Sequence, residues 1–230
     1  LVDAGADVSC LRVMDTESGC AFIEVNSKGQ NRIIVSAGTN RMYTEEYIKN
    51  VLEKAEAGDF VLLQNEINMV GEIIRLSHEK GCRVVFNASP IPGKPEELPL
   101  ELVDIFMVNE LEAAALAGTS TEGDFRDILK ALQKKYPKAA IVMTLGKEGV
   151  FYGYKEEFYS HPIFKVNAVD TTAAGDTFCG YFLAALCAEK SVETALREAS
   201  AASAMAVSAK GAAPSIPVHS AVEEWLCGRS

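Results

Sequence analysis

The segment Val169-Asp170-Thr171-Thr172-Ala173-Ala174-Gly175-Asp176-Thr177-Phe178-Cys179-Gly180 joins a run of small residues to an aspartate and then to an apolar stretch. The apolar residues recur every three or four positions: Phe178, Phe182, Leu183 and Leu186. This spacing predicts a buried helix. The start of such a helix carries unpaired backbone N–H groups and a partial positive charge, so it attracts anions. The small residues before it would let an anion approach the backbone closely.

Asp176 falls in the first turn of this predicted helix, beside the expected anion. A carboxylate there can remove a proton from an attacking hydroxyl while backbone amides stabilise the charge on the transferred group. The plainer alternative is that Asp176 only favours the helix dipole and that the small residues only allow close packing. Because Asp170, two threonines and the apolar helix occur in the same stretch, we favour phosphoryl transfer without a P-loop.

The composition is that of an ordinary globular protein. The chain has 230 residues, of which 48% are hydrophobic, and this fits one domain over 1–230. No stretch approaches the about 18 uninterrupted apolar residues of a membrane span, so we expect no membrane partner. The first residues do not resemble a signal peptide. Because the chain begins with Leu1, we expect a processed product or a fragment.

The charge and the cysteines exclude some functions. The formal net charge is −10, and no cluster of lysines and arginines interrupts it, so nucleic acid is not an expected partner. The six cysteines include no C-x-x-C pair, which indicates a reducing, cytoplasmic compartment. The three histidines have no metal-ligand spacing, and we assign them no chemistry.

Strand-like and helical segments alternate along most of the chain. This order predicts an α/β fold with a mostly parallel sheet sandwiched between helices. The exception is a β-hairpin near the start, in which residues 20–26 and 31–37 flank a polar turn. Its mixed polarity suggests a small lid at about 20–37 that could cover a ligand.

Polar residues recur just past the carboxyl ends of the predicted strands, at the edge where open α/β sheets bind ligands. They are Glu66, Asn87, Asn109, Thr144 and Asp170.

Several of these segments also have plain structural interpretations. Residues 144–149 could contact a nucleotide through their glycines, but an ordinary strand-to-strand turn would look similar. Asn109 and Glu112 have the spacing of a helix capping box, and Glu66 could be a solvated loop acid. The chain contains neither a G-x-G pair nor a P-loop motif, which argues against a dehydrogenase and a P-loop enzyme.

Taken together, these residues resemble the ribokinase family of carbohydrate kinases, and within it the ribose-phosphorylating members. The resemblance runs from the hairpin near Cys20 to the end of the chain, and the segment from Asp170 to Gly180 is its most specific part. It implies that Asp176 is the catalytic base and that Ala173, Ala174, Gly175 and Asp176 form an anion hole. We keep that name for these four residues.

The resemblance also implies roles for the weaker motifs. Asn109 and Glu112 match the family's N-x-x-E motif, which is linked to phosphates and a divalent ion. Glu66 would contact the sugar, and Ser200 stands where a larger polar residue often meets the base. The residues expected to line the nucleotide are Thr144, Leu145, Gly146, Lys147, Glu148 and Gly149. Those that match the family's monovalent-cation loops are Asp170, Thr172, Ala206, Ala209, Gly211 and Ser215.

The activity implied is ATP-dependent phosphorylation of a sugar hydroxyl, with Mg²⁺ and K⁺, and most simply of D-ribose to D-ribose 5-phosphate. Fructose, 2-keto-3-deoxygluconate or a nucleoside are alternative acceptors. The lid hairpin is expected to pair across a homodimer.

The chain departs from the family in two respects. The broad family usually has glycine where Ala173 or Ala174 stands, although the Ala-Ala-Gly-Asp form occurs in ribokinase-like sequences. The family's N-terminal portion, with a sugar-binding aspartate and a Gly-Gly-Lys-Gly-x-Asn motif, has no counterpart. This leaves open a fragment of a complete kinase, or a non-catalytic nucleotide- or sugar-binding remnant.

Overall fold

The computed structural model describes residues 1–25 and 31–229. The chain forms two compact units, Leu1–Asp104 and Ile105–Ser230. The expectation of one domain over 1–230 stays a prediction.

The first unit contains the predicted hairpin and one β-α-β segment. Its elements are β1 (Cys20–Val25), β2 (Asn31–Ser36), α1 (Glu45–Leu52), β3 (Phe60–Gln64), α2 (Val70–Glu79) and β4 (Arg83–Asn87). Strands β1 and β2 pair antiparallel, with Cys20 opposite Ser36, so the hairpin is confirmed. Its predicted turn, residues 27–30, lies outside the described residues, as does residue 26, the predicted end of the first strand. Phe22 and Ile34 are 63% and 56% exposed, so the hairpin presents apolar side chains to solvent.

Strands β3 and β4 are parallel, and helix α2 between them packs on both. Parallel strands need such a crossover, which is typical of α/β folds. In β4 the consecutive residues Val84, Val85 and Phe86 are fully buried. Since successive side chains of a strand point to opposite faces, both faces of β4 are covered.

The second unit contains four described strands and five described helices. They are β5 (Ile105–Asn109), α3 (Glu110–Ala117), α4 (Phe125–Lys135), β6 (Ala140–Thr144), β7 (Val150–Tyr154), β8 (Glu157–His161), α5 (Ala174–Cys187), α6 (Val192–Val207) and α7 (His219–Cys227). Strands β5 and β6 are parallel, whereas β7 and β8 are added antiparallel. Four consecutive residues are buried in both β5 and β6, so these two strands form the centre of this unit.

Helix α5 is the buried helix predicted from the apolar periodicity. Phe178, Phe182 and Leu183 are buried, and α5 packs against α6. The α6 side of the pair is rich in alanine, including the fully buried Ala199 and Ala202. Small side chains let two helices approach closely. Of the helices in the described ranges, none is long and apolar enough to cross a bilayer.

One expectation about the strand edges is wrong. Asp170 does not follow a strand directly, because β8 ends at His161 and an irregular segment intervenes. The backbone N–H groups of Val169 and Asp170 both donate to the carbonyl of Val207, at 2.7 and 3.2 Å. The segment is therefore held by the end of α6 and not by a sheet neighbour.

Candidate active site

The start of α5 is open to solvent on one side and anchored in the core on the other. Gly175 and Asp176 are exposed, whereas Thr177, Phe178 and Cys179 are buried. Asp176 lies in the first turn, as predicted. No side chain caps the N-terminus of α5, and of its first amides that of Ala174 donates to the backbone carbonyl of Thr171 at 3.3 Å. This geometry suits an anion bound beside a carboxylate.

Ala173 enters the helix in a left-handed conformation, with φ 59° and ψ 12°. A residue with a Cβ pays about 1–2 kcal/mol for this conformation, which glycine adopts freely. Such strain is often found where a backbone is shaped for function. The departure from glycine noted in the sequence is thus a strained position.

Two hydroxyl groups bind the carbonyls of the anion hole. The Thr177 Oγ1 donates to the carbonyl of Ala173 at 2.8 Å, and the Ser203 Oγ donates to that of Ala174 at 3.0 Å. Ser203 belongs to α6 and was not predicted. Nothing in the alanine-rich sequence of α6 signals this bond, because its two ends are 29 residues apart.

A cavity of about 520 Å³ lies beside Asp176. Its lining is mostly small and apolar, and comprises Asp176, Thr177, Gly180, Tyr181, Ala184, Ala185, Ala188, Lys190, Glu198, Ile216 and His219. Lys190 Nζ contacts both carboxylate oxygens of Glu198, at 2.7 and 2.9 Å, and the Tyr181 hydroxyl donates to the carbonyl of Pro217. The charges of Lys190 and Glu198 in the cavity are therefore paired with each other.

Asp170 joins two segments of the chain. Its Oδ1 accepts hydrogen bonds from the Thr172 amide and hydroxyl, at 3.0 and 2.7 Å, and its Oδ2 accepts one from the Gly211 amide at 3.0 Å. The side-chain and backbone bonds from Thr172, followed by that from Gly211, lower the pKa of Asp170 from 3.8 to about 2. These donors stabilise the charged carboxylate.

The structure brings together three of the six residues expected at a monovalent cation, namely Asp170, Thr172 and Gly211. Of the remaining three, Ala206 lies in the last turn of α6, Ala209 follows the helix, and Ser215 ends the 3-10 turn Ala213–Ser215. The Ala206 carbonyl accepts the Ala209 amide, and the buried Ser215 donates to the carbonyl of Ala212. Their role at a cation stays a prediction.

We expect Asp170→Asn to lower stability at neutral pH and not at strongly acid pH. The folded-state pKa of Asp170 is depressed, so the ionised carboxylate stabilises the fold above pH about 4. This stabilisation is lost as the pH falls through about 2. Thermal unfolding gives the difference in the free energy of unfolding between the wild type and Asp170→Asn. This difference should stay constant from pH 7 to about 5 and become smaller below about pH 4. A difference that does not change with pH would contradict this role for the charge.

Asn109 and Glu112 form the predicted capping box at the start of α3. The Glu112 amide donates to Asn109 Oδ1, and the Asn109 amide donates to Glu112 Oε2, each at 2.9 Å. Glu112 is buried, with 8% of its surface exposed. The plain structural interpretation is confirmed, and the link to phosphates and a divalent ion stays a prediction.

The segment from Thr144 to Gly149 is the turn that joins β6 to β7. Thr144 ends β6 directly beside Asn109 in the parallel register, so two of the predicted nucleotide residues are neighbours. Leu145 is buried and its amide donates to the carbonyl of Gly149 at 2.8 Å. Gly146, Lys147 and Glu148 form an exposed 3-10 turn between them.

The structure gives the positions of two further predicted residues, Glu66 and Ser200. Glu66 is exposed and lies two residues beyond β3, in the first unit. Ser200 is half-buried on α6. Their contacts with sugar and base stay predictions.

The family model for pfkB family carbohydrate kinases matches residues 1–219. The chain belongs to this family. The match begins at residue 1, earlier than the hairpin from which the resemblance was expected to start. The predicted family is thus confirmed over almost the whole chain.

Similar proteins within the family are named ribokinases. The chain is 35% identical over 227 residues to ribokinase of Haemophilus influenzae, covering 96% of this chain and 74% of the relative. It is 38% identical over 219 residues to ribokinase of Bacillus subtilis, covering 93% and 70%.

Solved structures give the same result for the fold. Ribokinase from Thermotoga maritima matches with a TM-score of 0.80 and 35% identity, over 93% of this chain and 71% of that one. Arabidopsis thaliana ribokinase, complexed with ribose and ATP, matches with a TM-score of 0.78 and 31% identity, over 92% and 70%. The predicted α/β fold with a mostly parallel sheet and a small hairpin is confirmed.

Proposed function

We propose that this pfkB family kinase transfers the γ-phosphoryl group of ATP to a hydroxyl of D-ribose, giving D-ribose 5-phosphate and ADP. The observation that carries the proposal is Asp176 in the first turn of α5, beside amides that no side chain caps. The substrates come from the relatives, which are named ribokinases, and from the Arabidopsis structure that contains ribose and ATP.

In this mechanism Asp176 accepts the proton of the attacking sugar hydroxyl. The sugar oxygen forms a bond to the γ-phosphorus, and the bond from that phosphorus to the β,γ-bridging oxygen breaks, so ADP leaves. The amides of Gly175 and Asp176 in the first turn of α5 would hold the transferred group and stabilise the charge on its oxygens. Positioning and electrostatics therefore supply most of the catalysis.

The nucleotide would lie along the turn between β6 and β7. Asn109 and Thr144 lie side by side at the ends of their strands, where open α/β sheets bind ligands. The exposed turn from Gly146 to Glu148 would contact the nucleotide through its backbone. Ser200 would approach the base from α6.

A magnesium ion fits the residues present if phosphates and water supply most of its ligands. Within residues 1–25 and 31–229 no group of three or more His, Cys, Asp or Glu could hold a metal. Mg²⁺ commonly binds through one or two carboxylates, substrate phosphates and water. Glu112 would contribute through water, because a carboxylate retains acceptor capacity beyond its one bond to the Asn109 amide. The ion would neutralise charge on the phosphates.

A potassium ion would be held by oxygens around Asp170. Backbone carbonyls and a carboxylate are suitable ligands for K⁺. The candidate set is Asp170, Thr172, Ala206, Ala209, Gly211 and Ser215. The hydrogen bonds from Thr172 and Gly211 to Asp170 already hold the two sides of this set together.

On the sugar side, Glu66 would bind a ribose hydroxyl and the β1–β2 hairpin would act as a lid. The exposed apolar side chains of Phe22 and Ile34 support pairing of the hairpin across a homodimer. The proposal also includes a cytoplasmic location for this kinase.

ATP turnover by the protein with Mg²⁺ and K⁺ tests this function. We expect ADP release to require D-ribose, and phosphorus NMR should identify a phosphate ester on the primary hydroxyl. D-fructose, 2-keto-3-deoxygluconate and a nucleoside serve as comparison acceptors. Turnover with one of these and not with ribose would replace the substrate, whereas no turnover with any acceptor would favour a non-catalytic binding protein.

A further inference from the structure

Ser203 makes a contact that links α6 to the anion hole of α5. Its hydroxyl donates to the carbonyl of Ala174 at 3.0 Å, across 29 residues of sequence. We propose that Ser203 is a positioning residue, which orients the backbone amide of Gly175 toward the transferred phosphoryl group. This inference rests on the proposed phosphoryl transfer at Asp176.

The geometry of the peptide bond connects the two groups. The carbonyl of Ala174 and the amide of Gly175 belong to one planar trans peptide, in which C=O and N–H point in opposite directions. A hydrogen bond that fixes the carbonyl therefore fixes the direction of the Gly175 N–H. The Thr177 hydroxyl binds the Ala173 carbonyl in the same way, and the Ala174 amide of that peptide donates to the carbonyl of Thr171 at 3.3 Å.

The hydrogen bonds donated by Thr177 and Ser203 have different structural explanations. A threonine that donates to the carbonyl four residues earlier is ordinary within a helix, so the Thr177 bond has a local explanation. Ser203 has no such explanation, because its partner lies on another helix. A half-buried hydroxyl among the alanines of α6 needs a partner, and the fold places that partner in the anion hole.

The anion hole needs support from outside its own segment. Ala173 is in a left-handed conformation that is costly for alanine, and the N-terminus of α5 has no side-chain cap. Catalysis by fixed dipoles requires that the amides keep their direction before the reaction. Ser203 supplies a fixed contact from α6, which packs along α5.

Four variants test the inference through steady-state kinetics with D-ribose and ATP. Ser203→Ala removes the hydroxyl, and Ser203→Cys keeps a similar volume but donates weakly. Both should lower kcat about tenfold, less than the loss of a whole oxyanion donor, with the KM for ribose changed less than about twofold. Ser203→Thr retains a hydroxyl and should restore most of kcat. Ser208→Ala is the matched control at the residue that directly follows α6, because its hydroxyl donates to the carbonyl of Ala204 within α6 and not to α5.

Amide NMR of Gly175 gives a readout that does not depend on turnover. Ser203→Ala and Ser203→Cys should move this resonance in the free protein and reduce its response to ADP with aluminium fluoride, while Ser208→Ala leaves both unchanged.

The two proposals fail in distinguishable ways. A wild type without turnover on any acceptor overturns the proposed function, and the Gly175 resonance then decides the role of Ser203. Full kcat in Ser203→Ala, an equal loss in Ser208→Ala, or an unmoved Gly175 resonance overturns the role of Ser203.

Discussion

Replacing Asp176 with asparagine should lower kcat by about three orders of magnitude and leave nucleotide binding nearly unchanged. General base catalysis contributes about 10²–10⁴-fold to a rate, and an amide cannot accept the proton of the sugar hydroxyl. Asparagine has almost the same size and keeps the exposed position in the first turn of α5. Single-turnover kinetics and calorimetric titration with ADP measure the two effects separately.

Asp127→Asn is a matched control for this substitution. Asp127 is also an exposed acid in the first turn of a helix, α4, so the change in charge and in helix dipole is the same. We expect kcat to stay within about twofold of the wild type in this variant. Near-normal turnover in Asp176→Asn would show that Asp176 is not the base, and an equal loss in Asp127→Asn would trace the effect to charge alone.

The local features of the fold could be predicted from the sequence. The four-residue spacing of Phe178, Phe182 and Leu186 predicts a buried helix, and the structure buries Phe178 and Phe182 and half-buries Leu186. The hairpin was equally local, since its two strand-like segments flank a short polar stretch of sequence. The neighbourhood of Asn109 and Thr144 is less local, but it follows once two consecutive strands are known to be parallel and in register.

Contacts between distant segments could not be predicted in this way. Asp170 was expected after a strand, but its amide is satisfied by Val207, a residue 37 positions later. Its carboxylate is satisfied partly by Gly211, also from that segment. Because periodicity carries no information about which segment supplies a hydrogen bond, both the error at Asp170 and the missed Ser203 have the same origin.

For two segments of the candidate site, the sequence left a structural role and a ligand-binding role as alternatives. Asn109 and Glu112 form a capping box, and residues 144–149 form a strand-to-strand turn. Neither structural role prevents a ligand role, because a cap or a turn at the carboxyl ends of strands still presents backbone amides, and here the exposed Gly146, to a ligand. The effect of such residues on stability can therefore be measured separately from their effect on activity.

Gly149→Ala is the sharpest such measurement, and we expect it to destabilise the protein by about 3 kcal/mol or more. Gly149 has φ 94° and ψ −139°, which is strained for any residue with a side chain. A Cβ there would overlap the carbonyl oxygen of His161 and come within 2.9 Å of the Cα of Pro162. Both neighbours are backbone and cannot rotate away, so the turn or the end of β8 must move. Thermal unfolding should show a fall of about 6–12 °C.

Gly146→Ala in the same turn separates the backbone conformation from the overlap. Gly146 also has a positive φ, 50°, but a Cβ there would meet nothing within 4 Å. This variant should cost only about 1–2 kcal/mol, or about 2–8 °C. Equal destabilisation by the two substitutions would mean that the backbone at His161 can move away from the added Cβ at little cost in free energy. A larger effect at Gly149 would instead mean that the position of the turn between β6 and β7 is fixed by its contact with β8, so that the exposed residues from Gly146 to Glu148 are held in place before any nucleotide binds.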